Sequence, residues 1–224
     1  MIRIDGKDYH IKTRWTEFTY SEFCEVVKAS EFDFMNKLSV YTSIPFQVLK
    51  QCSVNQISVL CGLVGWMEDY ENCLLFVKDY KDDLSIGGNT YEKIERAKVI
   101  LQGGKPLLAL GGLVELYYGE DISNVCCIDS MGKGLHVLTK IDEFLKRYKE
   151  LFEYEPTPEE LEAGVEDLGK LGSFYTVKKL SEKYHKHPDE ILKWEAAVAY
   201  SILQADAIDS RISRNLQKIY SRKK

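Results

Sequence analysis

Residues 188–220, PDEILKWEAAVAYSILQADAIDSRISRNLQKIY, decide how the rest of the chain is read. Proline at a first helical position costs little, because its missing N–H has no intrahelical partner. Asp189 and Glu190 follow in the first turn, where the helix dipole favours anions. Ile191, Trp194, Val198, Ala205, Ile208, Ile212 and Ile219 then recur at alternating steps of three and four, with Ser201 and Asn215 in the slots between. Ile202 and Leu216 widen this seam. Arg211, Arg214, Lys218, Arg222, Lys223 and Lys224 close the chain with no acid among them, as suits a helix C-terminus. The spacing predicts one helix from Pro188 to Tyr220, about 50 Å long at the helical rise per residue. That exceeds the width of a small domain, so its far end is expected to meet something other than its own core. A further helix, from Leu168 on, precedes it across the turn His185-Lys186-His187-Pro188-Asp189-Glu190.

The chain has 224 residues, room for one large domain or two small ones. An apolar fraction of 45% and a charged fraction of 29% are those of a folded globular protein, not a disordered one. A net charge of −5 gives no global pull towards nucleic acid or an acidic membrane. No apolar run is long enough for a membrane span. The charge is uneven: Glu150, Glu153, Glu155, Glu159, Glu160, Glu162, Glu166 and Asp167 form an acidic run without a base, and the tail from Arg211 is basic. The six cysteines form no CxxC pair and sit mostly in apolar runs, and no signal peptide opens the chain. A reducing compartment without a disulfide framework is therefore expected.

Working back through the chain, Ile2 to Ile11 alternates about Asp5-Gly6, a hairpin turn pair. Thr16 or Thr19 is placed to cap a helix. Two short helices with a break near Ser30 follow, then a turn at Ile44-Pro45, a short helix over Phe46–Gln51 and another over Val54–Met67. Cys73–Val77 reads as a strand or short helix. Leu84–Tyr91 resembles the opening hairpin and is expected to pair with it in one small sheet. Helices are predicted over Tyr91–Gln102, Pro106–Tyr118 and Leu135–Phe152. Gly119–Gly134 reads as a loop with brief order at Val125–Ile128. Gly111 and Gly112 weaken the second of these helices by about 1 kcal/mol each, so close packing against another helix is the expected reason for them. Glu155-Pro156-Thr157-Pro158 is the best linker, with Thr157 as a cap and Pro158 at the first helical position. The expected fold class is α+β, mostly α: N-terminal hairpins with a helical cluster over 1–154, and a helical hairpin ending in a long helix over 155–224.

Candidates for chemistry are sparse. His185, His187 and Asp189 have the residue types of a metal site, but exposed histidines in a polar turn need no metal to explain them. Gly103-Gly104-Lys105-Pro106 and Met131-Gly132-Lys133-Gly134 lack the leading glycine and the Ser or Thr after lysine that a phosphate loop requires. Lys178, Lys179, Lys183, Tyr184 and Lys186 interleave bases and an aromatic, yet neighbouring acids argue against nucleic acid. His10 and His136 have no partner nearby in sequence. No catalytic residue, metal or cofactor is assigned, and a non-enzymatic role is expected.

Two stretches resemble proteins of tailed bacteriophages. Thr19-Tyr20-Ser21-Glu22-Phe23-Cys24, Lys37 to Pro45 and Val48-Leu49 are similar to the tail assembly chaperones of Mu-like phages, where a threonine-led helix precedes a second helix, an Ile-Pro or Val-Pro turn and a short leucine-bearing helix. Leu171 to Val177, Pro188 to Trp194 and the final charged helix are similar to tail-associated proteins of phages infecting Bacteroides. Gly172-Ser173-Phe174-Tyr175 stands where Gly-Trp-Tyr is the usual form, and residues 68–135 carry the resemblance only loosely.

The resemblance implies a tail assembly protein, without enzymatic activity, that holds an aggregation-prone tail component while the tail forms. The implied partner is the tape-measure or tail-tube protein, or a further copy of the chain, and the implied location is the cytoplasm of the infected host. The alternative is a structural virion subunit, a head–tail connector or tail ring protein, in which the acidic run of one copy meets the basic tail of the next. On either reading the expected partner-binding residues are Trp194, Val198, Ile202, Ile208, Ile212 and Leu216, an aromatic anchor among aliphatics.

Overall fold

The computed structural model describes residues 1–29, 33–67, 69–152 and 156–221. The break expected near Ser30, Glu153 and Glu155 of the acidic run and linker, and Arg222, Lys223 and Lys224 of the tail lie outside the described residues. The fold is α+β and mostly α, as expected. Strands β1 (Ile2–Ile4) and β2 (Lys7–Tyr9) open the chain. Helices α1 (Tyr20–Lys28), α2 (Phe34–Thr42), α3 (Phe46–Leu49), α4 (Val54–Val64), α5 (Tyr91–Gln102) and α6 (Pro106–Tyr118) follow. Then come α7 (Cys127–Lys146), α8 (Pro158–Glu162), α9 (Val165–Lys170), α10 (Ser173–Tyr184), α11 (Pro188–Leu192) and α12 (Ala196–Ser221).

The chain forms two compact units, one of residues 1–82 with 103–138, the other of 83–102 with 139–224. The division expected at 154/155 falls inside the second unit. There Tyr148 donates its hydroxyl to the Ala197 carbonyl at 3.3 Å and packs on Tyr200, which binds the stretch before 155 to α12.

In the first unit β1 and β2 pair antiparallel, Ile2 with Tyr9 and Ile4 with Lys7. Asp5 and Gly6 both have positive φ, the type I′ turn that matches strand twist. Thr19 caps α1 in a reciprocal box: it accepts the Glu22 N–H, and the Glu22 carboxylate accepts the Thr19 N–H. That same carboxylate meets Lys12, which is 5% exposed, lies 4.6 Å from the Phe18 ring centre and also donates to the Val40 carbonyl. Burial alone would raise the Glu22 carboxyl. The Lys12 ammonium and the Thr19 N–H outweigh it and hold the pKa below the ordinary 4.5. Trp15, Phe18, Phe23, Leu38, Tyr41, Leu49, Leu60 and Met67 fill the core around this pair.

Helix α6 explains one of its glycines. The Tyr20 hydroxyl enters its backbone, accepting the Gly111 N–H at 2.9 Å and donating to the Leu107 and Leu108 carbonyls. A Cβ on Gly111 would stand 2.3 Å from the Tyr20 ring. The partner is thus an aromatic side chain of α1 rather than a helix backbone. Close approach also overturns the loop expected over 119–134. Helix α7 begins at Cys127, and Gly134 lies inside it because a Cβ there would meet the Leu110 backbone of α6 at 2.7 Å. Residues 73–77, expected as a strand or short helix, lie in and just past a 3-10 turn over Tyr70–Phe76.

Leu84–Tyr91 forms no second hairpin; among the described residues the sheet has two strands. The segment instead serves helix starts in the second unit. The Gly87 and Asn89 carbonyls accept the N–H groups of Ala197 and Ala196, the first of α12, while Trp194 accepts the N–H of Tyr91, the first of α5. Tyr91, Phe144, Tyr148 and Tyr200 pack at centroid distances of 5.1 to 5.7 Å beneath this meeting.

A motif occurs once in each unit, at positions 142 residues apart. Helices α2 and α10 end on a left-handed residue, Ser43 and His185. Ser39 and Ser181 each donate a side-chain hydrogen bond to the carbonyl five residues on. Buried Leu38 and Leu49 in one correspond to buried Leu180 and Ile191 in the other, and the next helix starts at Val54 and at Ala196.

Gly111→Ala should destabilise the protein by about 1–3 kcal/mol in urea unfolding through overpacking, where helix propensity alone would have it stabilise by about 1. Glu22→Gln leaves Lys12 buried without its anion and is expected to cost on the order of 3 kcal/mol, most of it recovered in the Lys12→Met, Glu22→Gln double variant. Because the Glu22 pKa is depressed on folding, its contribution is complete above the ordinary 4.5 and is lost as pH falls through the folded value. Wild-type unfolding followed below pH 5 should therefore steepen relative to the double variant.

Candidate functional site

The long C-terminal helix is shorter than its seam suggested. The chain leaves helical geometry between Leu192 and Ala196, because Trp194 and Glu195 are drawn into the meeting with Thr90 and Tyr91. Helix α12 then runs 26 residues, about 39 Å.

Its two sides differ. The inner row begins with buried Ala196, Ala199 and Tyr200 and continues through Leu203, Ala207, Arg211, Arg214 and Lys218 at helical spacing. The Tyr200 hydroxyl donates to Glu95 at 3.2 Å, and Lys98 donates to the same carboxylate at 2.8 Å. Further along, Arg211 reaches Glu150 at 3.4 Å and Arg214 reaches Glu160 at 3.5 Å. These pairs border a cleft of about 1230 Å³ that Val165, Leu168 and Ile208 also line. The acidic run and the basic tail, expected to join neighbouring copies, thus pair within one chain. Exposed pairs of this kind contribute about 0–1 kcal/mol each.

The outer row is Val198, Ile202, Ala205, Asp209, Ile212, Leu216 and Ile219, at steps of four and three throughout. Val198 is 48% exposed, Ile212 50%, Leu216 45% and Ile219 49%. Ile202 alone of the row is half-buried. Side chains so spaced form one continuous stripe on a helix.

Of the six expected residues, Val198, Ile202, Ile212 and Leu216 share this row. Ile208 does not: it is half-buried on the flank and lines the cleft. Trp194 lies in the break before α12, half-buried and edge-on to Tyr184 at 5.3 Å. Asp209 was missed, because reading the seam through Ser201, Ile208 and Asn215 placed the stripe one residue out of phase. Running the same spacing through Ile202 and Leu216 finds it.

Elsewhere in the second unit, Val99, Phe152, Leu171 and Phe174 are exposed along a groove of about 570 Å³. In the first unit α4 buries Leu60 and Val64 and leaves Val59 and Leu63 exposed, with Trp66 just beyond.

The remaining sequence candidates have other occupations. His136, without a neighbour in sequence, meets Asp82 at 2.9 Å. Asp82 also accepts the Tyr118 hydroxyl at 2.6 Å. Burial and that carboxylate push the Tyr118 phenol up. Lys133 pairs with Glu120 at 2.5 Å beside Tyr80 and Tyr118. The cluster ties the stretch before Asp82 to α6 and α7. Gly132-Lys133-Gly134 is helical, and Lys105 donates to the Val27 carbonyl, so neither glycine-lysine stretch forms a loop around a phosphate. The Cys127 thiol donates to the Trp15 carbonyl at 3.1 Å, and burial pushes its pKa up. Among the described residues no three His, Cys, Asp or Glu side chains are grouped as for a metal ion, and no helix is long and apolar enough to cross a membrane.

Comparison with protein-family models, curated proteins and solved structures finds no match to this chain.

The two rows of α12 predict opposite mutational responses. Ile212→Glu should change unfolding stability by no more than about 0.5 kcal/mol, as an exposed substitution does. Tyr200→Ala, which empties the aromatic cluster, should cost about 3 kcal/mol or more, read from the urea midpoint.

Proposed function

We propose that this chain is a non-enzymatic assembly protein that captures an amphipathic helix of a partner along the outer row of α12. The observation that carries this reading is the uncovered apolar row itself, on a helix whose opposite side is already packed. A stripe of this length is the docking surface that helix recognition uses, with anchors one turn apart. It extends over the part of α12 that the resemblance to phage tail-associated proteins includes. In that setting the partner is the tape-measure or tail-tube protein, and the location is the cytoplasm of the infected host. A protein of this kind shields a long apolar helix until assembly buries it.

The competing reading, a connector or ring subunit that stays in the virion, draws its contacts between copies from the acidic run and the basic tail. Arg211 and Arg214 are already engaged within the chain, which weakens that source of contact.

Quantitative mass spectrometry of purified particles beside infected-cell lysate separates the two. The chain should be abundant in lysate and absent from particles; ring stoichiometry in particles would make it a structural subunit instead. Ile212→Glu together with Leu216→Glu should abolish co-purification of the tail component while leaving the circular dichroism spectrum unchanged.

A further inference from the structure

We infer that Asp209 selects the partner: the outer row of α12 takes a helix whose own apolar seam is interrupted by a lysine or arginine. This rests on the helix-capture reading and specifies what is captured. Asp209 is the fourth of the seven residues in the row, with three apolar residues on either side. It is exposed and forms no ion pair within 4 Å among the described residues. Asp206, one turn earlier, is occupied by Lys183. An apolar helix laid along the row would cover the Asp209 carboxylate without a counter-charge, and burying an unpaired charge is strongly unfavourable. A cation opposite it converts that cost into a register-fixing contact, as a single polar seam residue does in coiled coils.

A second copy of the chain is a poor occupant by the same criterion. The described cations of α12, Arg211, Arg214 and Lys218, all lie on the inner row. The positions flanking the outer row are Ser201, Asp206, Ile208, Ser213, Asn215 and Tyr220, none of them basic. In any register, α12 paired on itself along this face sets Asp209 against an apolar residue or another acid. The chemistry that fits is a basic amphipathic helix of a different protein. The row from Val198 to Ile219 matches about six turns of it.

The test uses the full-length protein and three synthetic helical peptides of about 28 residues with a leucine seam. They differ only at the fourth seam position, which holds Lys, Leu or Glu. Fluorescence anisotropy should give the Lys peptide an affinity about tenfold or more above the Glu peptide. Asp209→Lys should invert that order, and Asp209→Leu should favour the Leu peptide. Equal binding of the three peptides, with binding lost in Ile212→Glu, would leave helix capture standing and overturn the selection by Asp209. Failure to bind any peptide, or binding that Ile212→Glu does not affect, would overturn both. A dimer in sedimentation equilibrium that Ile212→Glu dissociates would make a second copy the occupant and overturn the inference.

Discussion

A helix begins with N–H groups that have no partner inside it, and both units of this protein are built where two helices begin side by side and settle that deficit for each other. In the second unit Thr90 bridges Glu195, so that Tyr91 donates to Trp194 while Ala196 and Ala197 donate to Asn89 and Gly87. In the first unit Thr19 bridges Cys126. There Tyr20 and Ser21 donate to Val125 and Ser123, and Cys127 donates to Phe18. Each meeting joins residues about a hundred positions apart with backbone hydrogen bonds that depend little on side-chain identity. Each also orients the tyrosine that starts its first helix, Tyr20 or Tyr91, into the core. Without that meeting α12 would have no reason to break after Leu192, and its two rows would not fall where they do.

This dependence explains what the sequence could and could not convey. Local signals were legible: Asp5-Gly6 for the hairpin, Thr19 and Thr157 for capping boxes, and Pro106 and Pro158 for helix starts. Each is set by chemistry within four residues. The failures lie where a distant stretch decides. Gly132 and Gly134 resemble loop residues until α6 is placed against them, and Gly87-Gly88 resembles a hairpin turn until α12 begins beside it. Pro188 to Tyr220 reads as one helix because nothing in its own composition records that Thr90 claims Glu195. The likeness sought between the two hairpin-like stretches was also misplaced. The correspondence in the structure joins Leu38-Ser39 with Leu180-Ser181 and carries a left-handed residue through Ser43 and His185, neither of them glycine.

That recurring motif bears on the site. A helix ends on a left-handed residue, the chain makes one short turn anchored by Leu49 or Ile191, and a second helix leaves from there. In each unit the departing helix buries one side and leaves the other uncovered. Helix α4 exposes Val59 and Leu63, and α12 exposes Val198, Ile212, Leu216 and Ile219. The motif needs only one face of its last helix for its own core, so the opposite face is free of structural duty. Apolar residues persist there on both helices.

What distinguishes α12 is how its charge is partitioned. A helix with nothing to bind would be expected to mix its bases and acids around the exposed side, since solvation is indifferent to their order. Here Arg211 and Arg214 are spent on Glu150 and Glu160 within the unit, and Lys218 continues the same row. The outward side keeps one carboxylate among six apolar residues. Solubility alone would be better served by reversing that distribution, placing arginines outward and aliphatics against the cleft that Val165 and Leu168 line. The observed order weakens the packing of the helix against its own unit in exchange for a surface that is incomplete by itself. That is the arrangement expected of a docking face whose missing half, apolar with a single cation, belongs to another chain.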